Sequence, residues 1–223
     1  MSLLVAATVY LVGFAPVFVL DDVVVTGGSA DVETLAKEHA APPIGVPLAR
    51  IDTAEMASRV AADTRIEQVA VSRDWPSGIA IEVTMRTPVA VLKQPGEPLR
   101  LVDATGVIFD EVAQRPKGLP QISAPRGDID PDSLAGAVIA RAALGEPFTD
   151  GVSSMSVTAD GDLRFKVGVV SVQWGPPEEA ELKAAATLAL LAQEPIDPEG
   201  EDAMTIDVTA PSAPIVTGLP VEP

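Results

Sequence analysis

Between residues 65 and 92 the chain alternates apolar and polar positions through two runs, separated by Asp74-Trp75-Pro76-Ser77-Gly78. Val69, Val71, Ile79, Ile81, Val83 and Met85 share one parity, and Glu82, Thr84 and Arg86 the other. A period of two marks half-buried strands. The turn between them has Pro76 to fix φ and Gly78 to tolerate positive φ. Upstream, Val23-Val24-Val25 reads as a short strand closed by Gly27-Gly28. Ser29 is then an N-cap candidate, with Asp31 and Glu33 complementing the dipole of the following helix. Val32, Leu35, Ala36 and Ala40 fall at helical spacing on it. Residues 41–51 form a proline-rich loop, and Asp52-Thr53-Ala54-Glu55 carries a capping-box pattern before Met56, Val60 and Ala61. The first segment is therefore β-α-α-β-β, a small sheet with two helices on one face.

Past residue 87 the pattern turns strand-rich. Strands are expected at 88–92, at 99–112 as a hairpin turning on Asp103-Ala104-Thr105-Gly106, and at 119–122. Three more fall within 152–175, and two at 204–208 and 214–218. Two helices interrupt them, one from Asp132 or Ser133 to Leu144 and one over 178–193, which is rich in strong helix formers. The fold class is α+β, with two helices in the second, β-rich region.

Residues 3–20 hold no charge. At helical rise they span about 27 Å, close to the ~30 Å hydrocarbon core of a bilayer. A single membrane span over residues 1–20 is the expectation, with a signal peptide or a buried core helix as rivals. No Lys or Arg precedes Lys37, so the positive-inside rule cannot orient this span. A cytoplasmic tail missing from this sequence or very short is expected.

The formal charge of −17 and pI near 4.2 oppose nucleic-acid binding and suit basic partner segments. With no Cys, disulfide and thiolate chemistry are excluded. The absence of Asn, with abundant Ala, Val and Arg, fits a GC-rich genome. With aromatics at 4%, the core must be built from Val, Ile, Leu and Ala.

Candidate chemistry is sparse. His39 is the sole histidine and no Gly-x-Ser-x-Gly elbow accompanies it, so it reads as a surface or boundary residue. Asp128, Asp130 and Asp132 begin like a calcium loop, but Ser133 and Ile139 stand where that loop needs Gly and Glu. Helix capping and a solvated turn explain these aspartates, and no metal is expected. Glu178, Glu179 and Glu181 read as first-turn carboxylates complementing a helix dipole. Trp75 and Trp174 are expected to pack over a sheet, with a partner-facing role as the alternative. Arg86 before Thr87-Pro88 is either a partner anchor or a solvent-facing charge at a strand end.

Taken in order, these landmarks resemble the FtsQ/DivIB family of bacterial cell-division proteins. They are the apolar run leading into VVVTGG (23–28), GVPLARID (45–52), the Trp-Pro hairpin with its Arg-x-Pro-x-Ala (66–91), and LVDATGVIF (101–109). LP (119–120), VQWG (172–175) and IDVTAPSAPIV (206–216) follow. Each motif is weak alone, whereas their order and spacing are specific. The resemblance implies a membrane segment at 1–20, a POTRA domain at 21–87, a β domain at 88–218 and a flexible tail at 219–223. Trp75, Pro76, Gly78, Arg86 and Pro88 would form the POTRA hairpin and domain junction. It implies a scaffold rather than an enzyme, without cofactor, anchored by one helix with its bulk outside the cytoplasm at the division septum. Its partners would be FtsB/DivIC and FtsL, and indirectly the septal peptidoglycan synthase pair FtsW–FtsI.

The family's FtsB site, carried over, falls on Thr209, Ala210, Ser212 and Ala213 and on the strand Ile215, Val216, Thr217 and Gly218. An edge strand there would offer backbone groups for strand addition. Pro211 and Pro214 remove two donors, which confines pairing to the residues beyond them. The chain lacks the aromatic and basic side chains that some relatives carry near that edge. A rival reading is another POTRA protein, acting in polypeptide transport or envelope assembly; it would need repeated POTRA units or many membrane strands. A wall hydrolase would need a catalytic constellation, and one His with no Cys argues against it.

Overall fold

The computed structural model describes residues 18–145 and 152–219. The expected membrane span lies almost wholly outside them. Among the described residues no helix is long and apolar enough to cross a membrane. The chain divides into two compact units between Arg86 and Thr87.

The first unit runs β1 (Asp22–Thr26), α1 (Ala30–Ala40), a 3-10 turn (Leu48–Arg50), α2 (Thr53–Val60), β2 (Ile66–Asp74) and β3 (Gly78–Met85). The strand order is β1-β3-β2, with β1 parallel and β2 antiparallel to the central β3. The apolar parity read from the sequence meets across the strands, Val69 opposite Val83 and Val71 opposite Ile81. Ile66 has the other parity. A register shift between Ile66 and Gln68 turns its side chain into the same core. Ile79, Ile81 and Val83 are buried with Val32, Ala36, Met56 and Val60 of the helices. Burying a side chain such as Ile81 is worth about 1.5–3 kcal/mol.

Local polar contacts fix the turns. Asp52 caps α2 by accepting from the Ala54 and Glu55 amides, both at 3.0 Å. The reciprocal half of the expected capping box is absent: Glu55 pairs instead with Arg59 one turn on, at 2.8 Å. Ser29 holds the N-cap position of α1 without bonding the helix backbone, its hydroxyl donating to the Asp31 carboxylate. Gly27, at φ +98°, is required because a Cβ there would lie 2.0 Å from the Val83 carbonyl oxygen. Gly78 corrects the sequence reading. It does not adopt positive φ; it opens β3 where a Cβ would sit 3.0 Å from the Asp74 carbonyl oxygen.

The second unit contains β4 (Ala90–Lys93), β5 (Leu99–Val102), β6 (Ile108–Val112), β7 (Gln121–Ser123), α3 (Pro131–Leu144) and β8 (Val152–Val157). It continues with β9 (Leu163–Val167), β10 (Val170–Gly175), α4 (Ala180–Leu191), β11 (Thr205–Asp207) and β12 (Ile215–Thr217). One nine-stranded mixed sheet results, ordered β12-β11-β10-β9-β8-β7-β4-β5-β6. α3 packs on β8 and β9, and α4 packs on α3. Met155, Phe165, Val172, Ile206 and Val216 form a cross-strand row inside this apolar layer. Trp174 is fully buried there and meets the Phe165 ring with centroids 5.8 Å apart. The other face is polar, carrying Ser156, Arg164, Lys166, Ser171, Gln173 and Thr205 around a shallow depression of about 340 Å³.

α3 starts at Pro131, one or two residues earlier than expected, because Asp130 accepts from the Asp132 amide as its cap. The Asp103 carboxylate organises the β5–β6 turn by accepting from the Thr105 amide, the Thr105 hydroxyl and the Val107 amide at 2.8–2.9 Å.

Asp63, between α2 and β2, is nearly buried and pairs with Arg65 at 2.6 Å. Hydrogen bonds from the Arg65 guanidinium hold its carboxyl below the ordinary aspartate value of 3.8, against the opposing push of burial. A depressed folded-state pKa means that the unfolded chain takes up the proton first as pH falls. The stabilisation is thus present above pH 3.8 and lost as pH drops through the folded value. Asp63→Asn is expected to lower the melting temperature at neutral pH. The gap to the parent chain should close in thermal scans taken progressively below pH 3.8.

Candidate functional site

β12 ends the nine-stranded sheet and, among the described residues, pairs only with β11, antiparallel, with Ile215 opposite Asp207, Val216 opposite Ile206 and Thr217 opposite Thr205. The neighbouring ladder determines which backbone groups of β12 point outward. β11 lies parallel to β10, where the Ser171 amide donates to the Met204 carbonyl at 2.8 Å and the Val208 amide to the Gln173 carbonyl at 2.9 Å. Even-numbered residues of β11 therefore direct their N–H and C=O groups toward β10. By alternation, Thr205 and Asp207 direct theirs toward β12. Their partners Thr217 and Ile215 face inward, which leaves Val216 with its N–H and C=O directed away from the sheet.

The segment leading into β12 is a set of turns. The Asp207 carboxylate accepts from the Thr209 amide at 2.9 Å, and the Ala213 amide donates to the Ala210 carbonyl at 3.0 Å. Thr209, Ala210, Ser212 and Ala213 are exposed. The Thr209 side chain occupies the space beside Gly175, where a Cβ would come within 2.9 Å of it. Pro214, immediately before the strand, has no amide to donate. Gly218 closes the strand at φ +83°, where a Cβ would lie 2.6 Å from the Ala203 carbonyl oxygen. Ile215 is 61% exposed on the polar face of the sheet, while Val216 is half-buried against the core. The structure thus gathers all eight residues singled out here into one edge strand and its approach.

The hairpin and junction residues separate into different roles. Trp75 is 47% exposed, which corrects the expected burial; its ring meets Phe18 edge-on at 5.7 Å. It follows the last residue of β2, outside the alternation that sends Ile79 and Ile81 inward. Pro76 is exposed beside it. Arg86 is half-buried and tied down, its Nε donating to the Thr64 carbonyl at 3.0 Å and its amide to the Arg65 carbonyl at 2.9 Å. These bonds tie the end of β3 to the segment before β2. Pro88 is half-buried at the start of the second unit. Arg73 was not singled out by sequence. Its guanidinium donates to the carbonyls of Leu48 at 2.8 Å and Ile51 at 2.5 Å, holding the 3-10 turn inside the GVPLARID motif.

The remaining titratable candidates are placed as follows. His39 is exposed at the end of α1. Glu178 and Glu179 precede α4, whose first residue is Ala180, so only Glu181 lies in its first turn. The two earlier glutamates act on Lys183, which is 1% exposed and donates from Nζ to the Pro176 carbonyl at 2.7 Å. Burial pushes the Lys183 ammonium below its ordinary value of 10.5, against the attraction of Glu178, Glu179 and Asp162. Among the described residues no three His, Cys, Asp or Glu side chains cluster as metal ligands.

The geometry defines a class: a β-α-α-β-β module followed by a mixed sheet whose last strand is open along one side. Residues 20–86 match the model of the FtsQ-type POTRA domain, and residues 90–208 that of the FtsQ/DivIB cell-division protein C-terminal region. The chain is 35% identical over 212 residues to the cell division protein FtsQ of Streptomyces bingchenggensis, covering 89% of this chain and 76% of that one. It is 33% identical over 215 residues to FtsQ of Streptomyces griseus, covering 85% and 94%. To FtsQ of Mycobacterium leprae it is 31% identical over 206 residues, covering 90% of this chain and 56% of that one. The chain belongs to the FtsQ/DivIB family of cell-division proteins. The rival POTRA reading called for repeated modules, whereas here the POTRA match ends at residue 86 and the C-terminal FtsQ/DivIB match takes over. The C-terminal match ends at residue 208, so the residues of the β12 edge lie just past it.

The ladder geometry is testable without a partner. In amide hydrogen exchange of the full chain, the Val216 N–H is expected to exchange much faster than those of Ile215 and Thr217. Equal protection of all three would mean that the edge is paired differently.

Proposed function

We propose that this chain is a membrane-anchored scaffold of the division machinery. It recruits an FtsB/DivIC-type partner by strand addition at β12 and, with it, FtsL. Through these it bears on the FtsW–FtsI synthase pair, linking early and late division proteins and helping to control septal peptidoglycan synthesis. Its two units lie on the extracytoplasmic side, at the septum. The POTRA module carries the Trp75–Gly78 hairpin at one end of β3 and Arg86 at the other.

One observation carries this reading: among the described residues the terminal strand has one neighbour, and Val216 directs both backbone groups outward. An incoming strand would pair with Val216 and with the Gly218 amide, because Pro214 offers no donor. Alternate side chains of that strand would then lie along Ile215 and Thr217 on the polar face. Backbone pairing supplies affinity in this mode, and side-chain positions supply selectivity.

Val216→Pro separates this function from the fold, since it removes an outward N–H while the inward bonds of Ile215 and Thr217 remain. Loss of a hydrogen bond worth about 1–1.5 kcal/mol corresponds to roughly tenfold weaker binding, and displacement of the incoming strand to more. Titration of the variant with an FtsB-type ectodomain should show at least that loss, with circular dichroism like that of the parent and a cooperative melt lowered only by the lost packing of the half-buried Val216 side chain. Unchanged affinity would remove the edge-strand mechanism. Depletion of the protein from cells is expected to block septation, and normal septa would remove the division role.

A further inference from the structure

The end of the apolar N-terminal run is clasped by two loops of the first unit. On one side the Leu20 amide donates to the Val46 carbonyl at 2.9 Å, the Gly45 amide returns to the Leu20 carbonyl at 2.8 Å, and Val19 bridges Pro47. On the other side the amides of Asp21 and Asp22 both donate to the Ser77 carbonyl, at 2.9 and 3.3 Å. Each loop carries one large apolar side chain that the fold leaves outside: Ile44 is 59% exposed and Trp75 is 47% exposed. Phe18, within the run, meets the hairpin with its ring edge-on to Trp75. Ile44 and Trp75 belong to loops, so neither is the spare face of a strand or helix buried elsewhere.

We propose that Phe18, Ile44 and Trp75 form a membrane-seated rim that rests in the headgroup region of the bilayer and fixes the attitude of the first unit on it. The proposal builds on reading residues 3–20 as a membrane span. The last residues of that run, Val19 and Leu20, are already paired with loops of the unit, so the chain leaves the lipid just before them and these loops lie at that level. An indole suits this boundary, with an apolar body and an N–H that seeks polar partners. Leu20 is buried in the core of the unit, so the span is coupled to the fold without a loose linker. Asp21, Asp22 and Asp74 are exposed nearby and would resist deeper insertion. They also disfavour attraction to anionic lipid, so the contact depends on apolar and aromatic matching and should be insensitive to salt.

The chain has two tryptophans, and Trp174 is fully buried in the core of the second unit, which makes the test selective. The full chain is reconstituted into phosphatidylcholine vesicles, either plain or brominated on the acyl chains close to the headgroup. Flotation first establishes whether the chain is held by the bilayer. The brominated lipid is expected to quench part of the parent emission. It should quench none of the emission of Trp75→Phe, which reports Trp174 alone. Ile44→Ser retains both tryptophans and should reduce the quenching, and raised salt should leave it unchanged. If the chain floats with the vesicles but Trp75 emission is the same in both lipids, the rim proposal is overturned while the anchor stands. A Trp75 that ignores lipid but shifts when an FtsB-type ectodomain is added would assign the rim to a protein partner instead. A chain that does not float removes the anchor reading and the rim with it.

Discussion

The edge of the second unit depends on the parallel pairing of β10 with β11. A strand returning parallel to its predecessor needs a crossover, and α4 provides it, lying between β10 and β11 in sequence. Once the Val208 amide is placed on the Gln173 carbonyl, the orientation of every backbone group in β11 follows, and through β11 that of β12. A slip of one residue in this pairing would turn Val216 inward and direct Ile215 and Thr217 outward. The interior enforces the register, because the same slip would withdraw Ile206 from its row with Phe165 and Val172. The apolar core thus determines what the distant edge presents.

An open edge is also a hazard, since unpaired strand groups invite unselective association. This one is kept short. Pro214 removes the donor at its start, Gly218 bends the chain away at its end, and three residues remain in the strand. The other glycine- and proline-marked landmarks serve comparable structural ends. Arg73 grips the carbonyls of the GVPLARID turn, and Asp103 gathers three donors in the DATG turn. Gly106 in that turn approaches α3 so closely that a Cβ would lie 1.9 Å from the Pro131 carbonyl oxygen. Motifs of this kind mark close approaches of backbone.

The elements themselves were legible because their causes are local. Alternation exposed β2 and β3, and the Asp103–Gly106 turn exposed the β5–β6 hairpin. What escaped depends on contacts distant in sequence. Trp75 and Trp174 both stand near strand ends, yet one is half-exposed and the other fully buried. The difference is that Trp174 lies within β10 on the core side, whereas Trp75 has already left β2. Gly78 looked like a residue chosen for positive φ and is instead one that leaves room for the Asp74 carbonyl. Glu55 had two possible partners, and Arg59, one turn away, competes with the backbone N–H of the cap. The strand order, with β4 between β5 and β7, cannot be read from periodicity. The β12 site came from family resemblance, since nothing local marks a three-residue strand as a sheet edge.

The proposed mode of binding would tolerate sequence divergence of the size seen between this chain and the FtsQ proteins that are 30–35% identical to it over most of its length. Recognition through Val216 N–H and C=O uses groups that every non-proline residue carries. Side-chain substitution along the edge would alter selectivity and affinity while leaving the ladder available. Substitutions that act on the backbone itself are the ones that would close the site, and this chain places its prolines at positions 211 and 214, just short of the strand.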